Sequence, residues 1–326
     1  MKAVVLEDFR KIEYKEDYPN PEIGSNEVLV KVHYCGICGS DVTNFKYKMY
    51  QVPLIMGHEI SGEIAKIGAD VQDFKVGDKV IALNVKLDIS QGKLEGLGIF
   101  DNGGFAEYVR VKKRNVFHIP NIISVKEATM IESFANITRV IKISKMTNNE
   151  KVIIFGGGNI GLCFLNTIIS ERKPDFVIVI EPHKYLREKA IELGATAAFP
   201  PNKTKIKKFM KLNGAPSFIF DTVGNENTIL MAIDLIERGG TILIEGIQKT
   251  SVSFPTFSII NKEICLRGCL GHDKDDVLAA IDLFFNKKVN PEKIISKIID
   301  LKDLENVFNE FLEPGERKFV KILVQV

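Results

Sequence analysis

The 326-residue chain carries almost no net charge. Its 44 Lys and Arg against 42 Asp and Glu leave a formal +2, which excludes the basic footprint of a nucleic-acid or membrane-surface binder. No stretch reaches the roughly 18 uncharged apolar residues of a membrane span. The apolar run after Met1 is too short for a secretory signal, so the expected location is cytoplasmic. Cysteine is scarce: Cys35, Cys38, Cys163, Cys265 and Cys269 make an odd five, which suits reduced thiols better than a disulfide framework. Internal repeats and low-complexity linkers are missing too. The densest lysine run, residues 203–211, reads as a solvated helix face rather than a phosphate-binding patch. What remains is a chain of ordinary globular composition, long enough for two domains with separate cores.

Up to about residue 120 the pattern is of short strands broken by Gly, Pro and Asn. Residues 28–35 alternate with period two, and 60–67, 76–83 and 105–111 continue the theme. From about residue 136, apolar strands at 151–155, 176–180, 217–220 and 241–244 alternate with helical stretches at 185–193 and 228–237, the sign of a parallel sheet with crossover helices. An amphipathic segment at 275–285 precedes a final strand at 319–324, expected to return to the first domain. Cys163, Cys265 and Cys269 sit in apolar runs and read as core thiols. His118, on a strand before Pro120, reads as structural, and His183 as the start of an exposed helix.

Gly156-Gly157-Gly158-Asn159-Ile160-Gly161 fits G-x-G-x-x-G, a weak signal alone. Here it follows a buried strand, opens an apolar helical stretch, and is followed by a second strand ending at Glu181, twenty residues after Gly161. That context makes it a dinucleotide fingerprint, with the helix N-terminus offering unpaired N–H groups to a pyrophosphate. Glu181 would accept hydrogen bonds from ribose hydroxyls and repel a 2′-phosphate, which favours NAD over NADP. Lys184 and Arg187 just behind it keep NADP in play.

Cys38, His58, Glu59 and Glu132 offer a thiolate, an imidazole and two carboxylates. That is the mixed donor set of a catalytic zinc with one position left open, whereas structural zinc is usually closed by four Cys or His ligands. Singly, each has a plainer reading: a buried thiol, a turn histidine, a surface charge, a helix-start carboxylate. Cys35 and Cys38 also form a C-x-x-C pair, but no second pair exists for a zinc ribbon.

The segments Gly36-Ile37-Cys38-Gly39-Ser40-Asp41, Gly57-His58-Glu59, Gly77-Asp78-Lys79-Val80, Gly103-Gly104-Phe105-Ala106-Glu107-Tyr108, Ile131-Glu132 and the glycine fingerprint occur in the order seen in zinc-dependent medium-chain alcohol dehydrogenases. The whole chain resembles that family, and most of all its sorbitol and threonine dehydrogenase-like branch, because Glu132 stands where other alcohol dehydrogenases carry a cysteine ligand. The resemblance implies an α/β architecture: a GroES-like β-rich catalytic domain over 1–135 and 271–326, and a Rossmann doubly wound parallel-sheet domain over 136–270. It implies one catalytic Zn²⁺ per subunit and an NAD(P)-dependent oxidoreductase acting on a secondary alcohol, polyol or sugar-like substrate. Cys38 and His58 would be fixed ligands, with Glu59 and Glu132 binding directly or through water. Asp41 would hold the ring of His58 or cap a helix, Ser40 would carry the substrate proton away, and Gly156, Gly158, Asn159, Ile160, Gly161, Glu181 and Arg187 would bind the cofactor. A homo-oligomer, dimer or tetramer, would form through the edge strand of the nucleotide domain near residues 241–247 and 252–254.

Three departures matter. Residues 84–102 contain no cysteine where many relatives bind a structural zinc, so none is expected unless oxygen ligands such as Asp88, Glu95 and Asp101 replace the thiolates. The relay histidine of many relatives is Thr43, leaving proton release to Ser40, ribose hydroxyls and water, or to Thr43 itself. Gly271-His272 replaces the Arg-Tyr pair of sorbitol-type enzymes, which argues against sorbitol itself and makes His272 a candidate for substrate contact or relay. Two other readings are a zinc-free quinone or enone reductase of the same superfamily and a dinucleotide-binding protein without turnover.

Overall fold

The computed structural model describes residues 1–85, 96–247, 251–313 and 315–326. Two sheets organise them. The first is built around the long strand β3 (Glu27–Gly36), whose Val28, Val30 and Val32 turn inward with at most 1% exposure. β3 pairs antiparallel with β4 (Glu59–Ile67), β6 (Tyr108–Lys112) and β15 (Lys321–Gln325). β5 (Lys79–Ala82) and β7 (Val116–His118) extend the sheet beyond β4, and β14 (Ile295–Asp300) lies parallel to β15 on the other edge. A hairpin of β1 (Ala3–Asp8) and β2 (Lys11–Lys15) packs into the same core. The strand expected at 76–83 begins only at Lys79, because Lys75 N–H donates to the Asp78 carboxylate and Gly77 takes φ +88°, closing a turn.

The second sheet is wholly parallel, in the order β10 (Ala197–Phe199), β9 (Phe176–Ile180), β8 (Lys151–Phe155), β11 (Phe218–Asp221), β12 (Thr241–Ile244), β13 (Cys265–Gly268). Both faces are covered, hence the near-continuous Val, Ile and Phe of its central strands. Leu162, Leu186 and Val277 bring α4 (Asn159–Glu171), α5 (Lys184–Glu192) and α9 (Lys274–Phe285) to one face, where Phe134 of α3 (Ile131–Ser144) joins them. Ile206, Ile229 and Ile259 bring α6 (Lys203–Asn213), α7 (Glu226–Leu235) and α8 (Thr256–Lys262) to the other. This is the doubly wound arrangement expected. Ile206 is the one buried residue of α6, so the lysine run is a solvated face as read.

Two expectations are corrected. Residues 241–244 are not an edge strand, because β13 pairs outside them and takes the edge position itself. Cys265 is accordingly exposed on that edge, whereas Cys163 and Cys269 are buried. Among the described residues the remaining α-helices are short: α1 (Gly39–Tyr47), α2 (Val125–Ala128) and α10 (Leu304–Glu310). No described helix is long and apolar enough to cross a membrane.

Candidate active site

Three chain segments meet at one end of the first sheet. β3 delivers Cys38 as the N-cap of α1; Asp41, three residues on, reaches back to accept from Cys38 N–H at 2.9 Å. β4 starts at Glu59, in register with Gly36, which sets His58 and Glu59 beside the Cys38 turn. The sulfur of Cys38, a ring nitrogen of His58 and a carboxylate oxygen of Glu59 all lie within 4.8 Å of one another. Gly36 is required there: a Cβ on it would come 2.2 Å from Glu59 Oε2 and 2.9 Å from Lys321 Cε. Glu132, in the first turn of α3, lies near enough to raise and be raised by this group without belonging to the tight triad.

The ring of His58 has a polar neighbour on each side. Its Nδ1 faces Asp41 Oδ1 at 3.6 Å, and Ser40 Oγ lies 3.4 Å from its Nε2. Of the two roles expected of Asp41, the cap on α1 is made by a hydrogen bond, and the carboxylate faces the ring beyond hydrogen-bond distance. Thr43 is turned elsewhere: its hydroxyl donates to Gly39 O at 2.8 Å, within its own helix.

The field at this point favours a cation. Burial opposes charge on His58, but Asp41 and Cys38 outweigh it and raise the imidazole well above its ordinary value. Burial, and then Glu59, pushes Glu132 up to about 7. Oε1 of Glu59 and Nδ1 of His58 are buried without a hydrogen-bond partner, and Oε2 of Glu59 has only the Lys321 ammonium beside it. Two buried carboxylates, a thiol and an imidazole gathered in one place are what a divalent cation would relieve, and sulfur, nitrogen and oxygen together suit zinc. The donor set fits the metal.

A residue the sequence reading missed completes the group. Lys321, the first residue of β15, is 1% exposed and forms an ion pair with Glu59. The signal was a lone lysine in the apolar run Val320-Lys321-Ile322-Leu323-Val324. His272 is also buried; its Nδ1 lies 3.2 Å from Asn136 Oδ1, and Asn136 Nδ2 donates to Glu132 Oε1 at 3.2 Å.

The glycine fingerprint sits at the carboxyl end of β8. Gly156 takes φ +97°, where a side chain would also strike Thr222 Oγ1. Gly158 is the N-cap of α4 with open space around it, and Gly161 packs against Gly156 O. Asn159 donates to Ser133 Oγ at 2.8 Å, tying α4 to α3, and Ile160 packs on the shared core. Glu181 accepts from Gly157 N–H at 2.8 Å and His183 N–H at 2.9 Å. Arg187 donates to the carbonyls of Glu181 and Pro182. Arg317, also missed, lines a small cavity with Cys38 and stacks over the Phe311 and Phe319 rings; burial lowers its guanidinium, and the Glu181 charge acts the other way. Its cue was only an arginine just before the last strand. Among the oxygen donors considered for a second metal, Asp88 and Glu95 lie outside the described residues, and Asp101 is exposed, accepting from Gly96 N–H.

Comparison with known proteins agrees with this geometry. Residues 24–121 match the family model described as alcohol dehydrogenase GroES-like domain, and residues 176–286 that described as zinc-binding dehydrogenase. The chain belongs to the zinc-dependent medium-chain alcohol dehydrogenase family, on its polyol side, and is an alcohol or polyol oxidoreductase using a nicotinamide cofactor. It is 28% identical to D-xylulose reductase A of Aspergillus oryzae, over 94% of this chain and 92% of that one. It is 28% identical to (R,R)-butanediol dehydrogenase of Bacillus subtilis, over 97% and 96%. The crystal structure of 2R,3R-butanediol dehydrogenase from B. subtilis superposes with a TM-score of 0.89 at 26% identity, covering 100% of this chain and 99% of that chain. A short chain alcohol dehydrogenase, rspB, from Escherichia coli CFT073, complexed with NADH, superposes at 0.90 with 25% identity over 100% and 99%.

Proposed function

We propose that the chain transfers hydride between NAD and a secondary alcohol of a diol, polyol or sugar-like substrate, at a site holding one catalytic zinc. The observation that carries this reading is the convergence of Cys38, His58 and Glu59 donor atoms within 4.8 Å, beside a dinucleotide fingerprint. Cys38 and His58, with Glu59 or Glu132 as carboxylate, would hold the zinc, which would supply Lewis acidity toward the substrate alcohol.

The protein's own residues do the rest. Asp41 fixes the ring of His58. Ser40, beside that ring, receives the hydroxyl proton and passes it outward; Thr43 has its donor committed to α1. Lys321 holds Glu59 while the carboxylate is not needed as a ligand. The amides at the start of α4 receive the pyrophosphate, with Arg317 as its cation. Glu181 takes the adenosine ribose hydroxyls, and its charge disfavours a 2′-phosphate, which supports NAD over NADP.

The same chain self-associates through β13 in this reading, as a dimer or a tetramer. Among the described residues that edge strand has no pairing partner on its outer side, and Leu266, Phe257, Ile260 and Leu270 are exposed. A cytoplasmic location fits its free thiols.

The test is metal analysis of the purified protein together with a dehydrogenase screen over diols, polyols, aldoses and simple secondary alcohols, with NAD and with NADP. About one zinc per subunit and turnover of a polyhydroxylated secondary alcohol with NAD are expected. Turnover that survives complete loss of zinc would sink the reading.

A further inference from the structure

The segment that leads into β15 crosses to the nucleotide-binding sheet and closes on the turn after β9. Glu316 Oε1 accepts from Tyr185 N–H at 3.1 Å, and Arg317 N–H donates to His183 Nδ1 at 3.2 Å. Tyr185 is the second residue of α5, so its amide has no acceptor within the helix. The N-cap residue, His183, makes no side-chain bond to the helix start. A carboxylate 131 positions further along the chain makes it instead. The N–H of His183 is in turn held by Glu181 Oε1 at 2.9 Å. Two carboxylates, one from the end of β9 and one from the approach to β15, therefore grip amides two residues apart on one turn.

That turn is where NAD and NADP would be told apart. With the adenosine ribose at Glu181, a 2′-phosphate would arrive beside it, carrying nearly two negative charges at pH 7. Its natural partners are the free amides at the start of α5 and the cations around them. Glu181 and Glu316 hold the amides of His183 and Tyr185. Of the cations, Arg187 donates to the carbonyls of Glu181 and Pro182, and Lys184 lies 3.6 Å from Glu188 in an exposed pair. The ring of His183 faces Glu316 itself, with Nδ1 3.8 Å from Oε2.

We propose that Glu316 is a second determinant of cofactor choice: its carboxylate occupies the α5 amide that a 2′-phosphate would use, and adds to Glu181 a negative charge brought from outside the nucleotide-binding sheet. This rests on the nicotinamide dinucleotide reading above and deepens it, by giving part of the discrimination to a residue far from the glycine fingerprint in sequence. A 2′-phosphate seated on Tyr185 N–H would displace Glu316 and disturb Arg317 next to it, whose own N–H is tied to His183. NAD leaves the whole contact in place. Glu316 is 45% exposed, so solvent screens its charge and the effect is moderate.

The experiment is calorimetric binding of ADP-ribose and of 2′-phospho-ADP-ribose to the intact protein. The two ligands differ only in that phosphate and involve no hydride transfer. Glu316→Gln keeps the size and an acceptor oxygen for Tyr185 N–H and removes the charge. It should hold ADP-ribose within about twofold of wild type and bind the 2′-phosphate about three- to tenfold more tightly at low salt, a gain that shrinks at high salt. Glu316→Lys should shift the ratio further in the same direction. An unchanged ratio in Glu316→Gln overturns the proposal and leaves the dinucleotide reading standing, even if Glu316→Lys, by offering a new cation, shifts it. An equal loss of both ligands in Glu316→Gln overturns it too, because a merely structural contact would give that result. Wild type that binds neither ligand overturns the dinucleotide reading, and the proposal with it.

Discussion

Lys321 and Glu59 form an ion pair sealed inside the protein, at 1% and 0% exposure, with Glu59 also a member of the candidate zinc cluster. A lysine buried this deeply is kept charged by its neighbours: burial lowers it, and Glu59 and Cys38 more than restore it. Removing one partner of a buried pair leaves the other charge uncompensated, at a cost of about 3–5 kcal/mol. Lys321→Met should therefore lower stability in chelator by an amount of this order. Zinc should recover much of the loss, because a divalent cation replaces the missing ammonium beside Glu59. Urea unfolding with and without zinc measures both, and a variant as stable as wild type in chelator would show that the pair does not matter.

The hydroxyls of Ser40 and Thr43 make a second contrast. Both stand on α1, but only Ser40 reaches His58. Ser40→Ala should lower kcat by about a hundredfold, in the range of lost proton-transfer catalysis, with little change in zinc content. Thr43→Ala should leave kcat within about threefold and cost a few tenths of a kcal/mol in stability. Steady-state kinetics on both variants decide it, and the reverse ranking would move the proton route to Thr43.

Much of this architecture was legible in the sequence because local pattern and tertiary outcome coincide. The strands read at 151–155 and 176–180 are β8 and β9 to the residue, since a strand buried on both faces announces itself as an unbroken apolar run. Cys38, His58, Glu59 and Glu132 were marked as one group by residue type and local setting; the fold brings the first three within 4.8 Å and leaves Glu132 outside that triad. Lys321, Arg317 and Glu316 were not marked, because each looks locally like an ordinary charged residue, and only the return of β15 to β3 shows where it points. The misplaced edge strand has the same origin. Cys265–Gly268 is only four residues long and includes Arg267, and whether it or 241–244 lies outermost depends on pairing, not on composition.

Cofactor choice should follow Glu181. Its carboxylate now accepts two backbone N–H groups, which holds it at the end of β9 where a ribose would arrive. Glu181→Ser removes both the repulsion of a 2′-phosphate and the charged acceptor for the ribose hydroxyls. Loss of a charged hydrogen bond costs about 1.5–3 kcal/mol. We expect kcat/KM with NAD to fall by about ten- to a hundredfold and the ratio to NADP to shift by at least as much. Kinetics with both cofactors test this, and an unchanged ratio would assign the discrimination to Glu316, Arg187 or Lys184 instead.

Glu132 sets the pH dependence of the metal-free protein. Its carboxyl is raised from an ordinary 4.5 to about 7, by burial first and by Glu59 second. Between those values the folded state holds a proton that the unfolded state has lost, so stability falls as pH rises through the window. Allowing for the partial exposure of the group, the loss is about 1–3 kcal/mol from pH 4.5 to 7. Glu245, raised in the same sense to about 8, carries the decline a little further. In chelator, denaturant unfolding should thus show lower stability at pH 8 than at pH 5 from these two groups, and Glu132→Gln should remove the first share. With zinc the sign reverses, because the metal binds the deprotonated ligands and its affinity rises with pH. A metal-free protein whose stability is the same for wild type and Glu132→Gln at every pH would mean that Glu132 is not held near its neighbours in the way the folded chain places it.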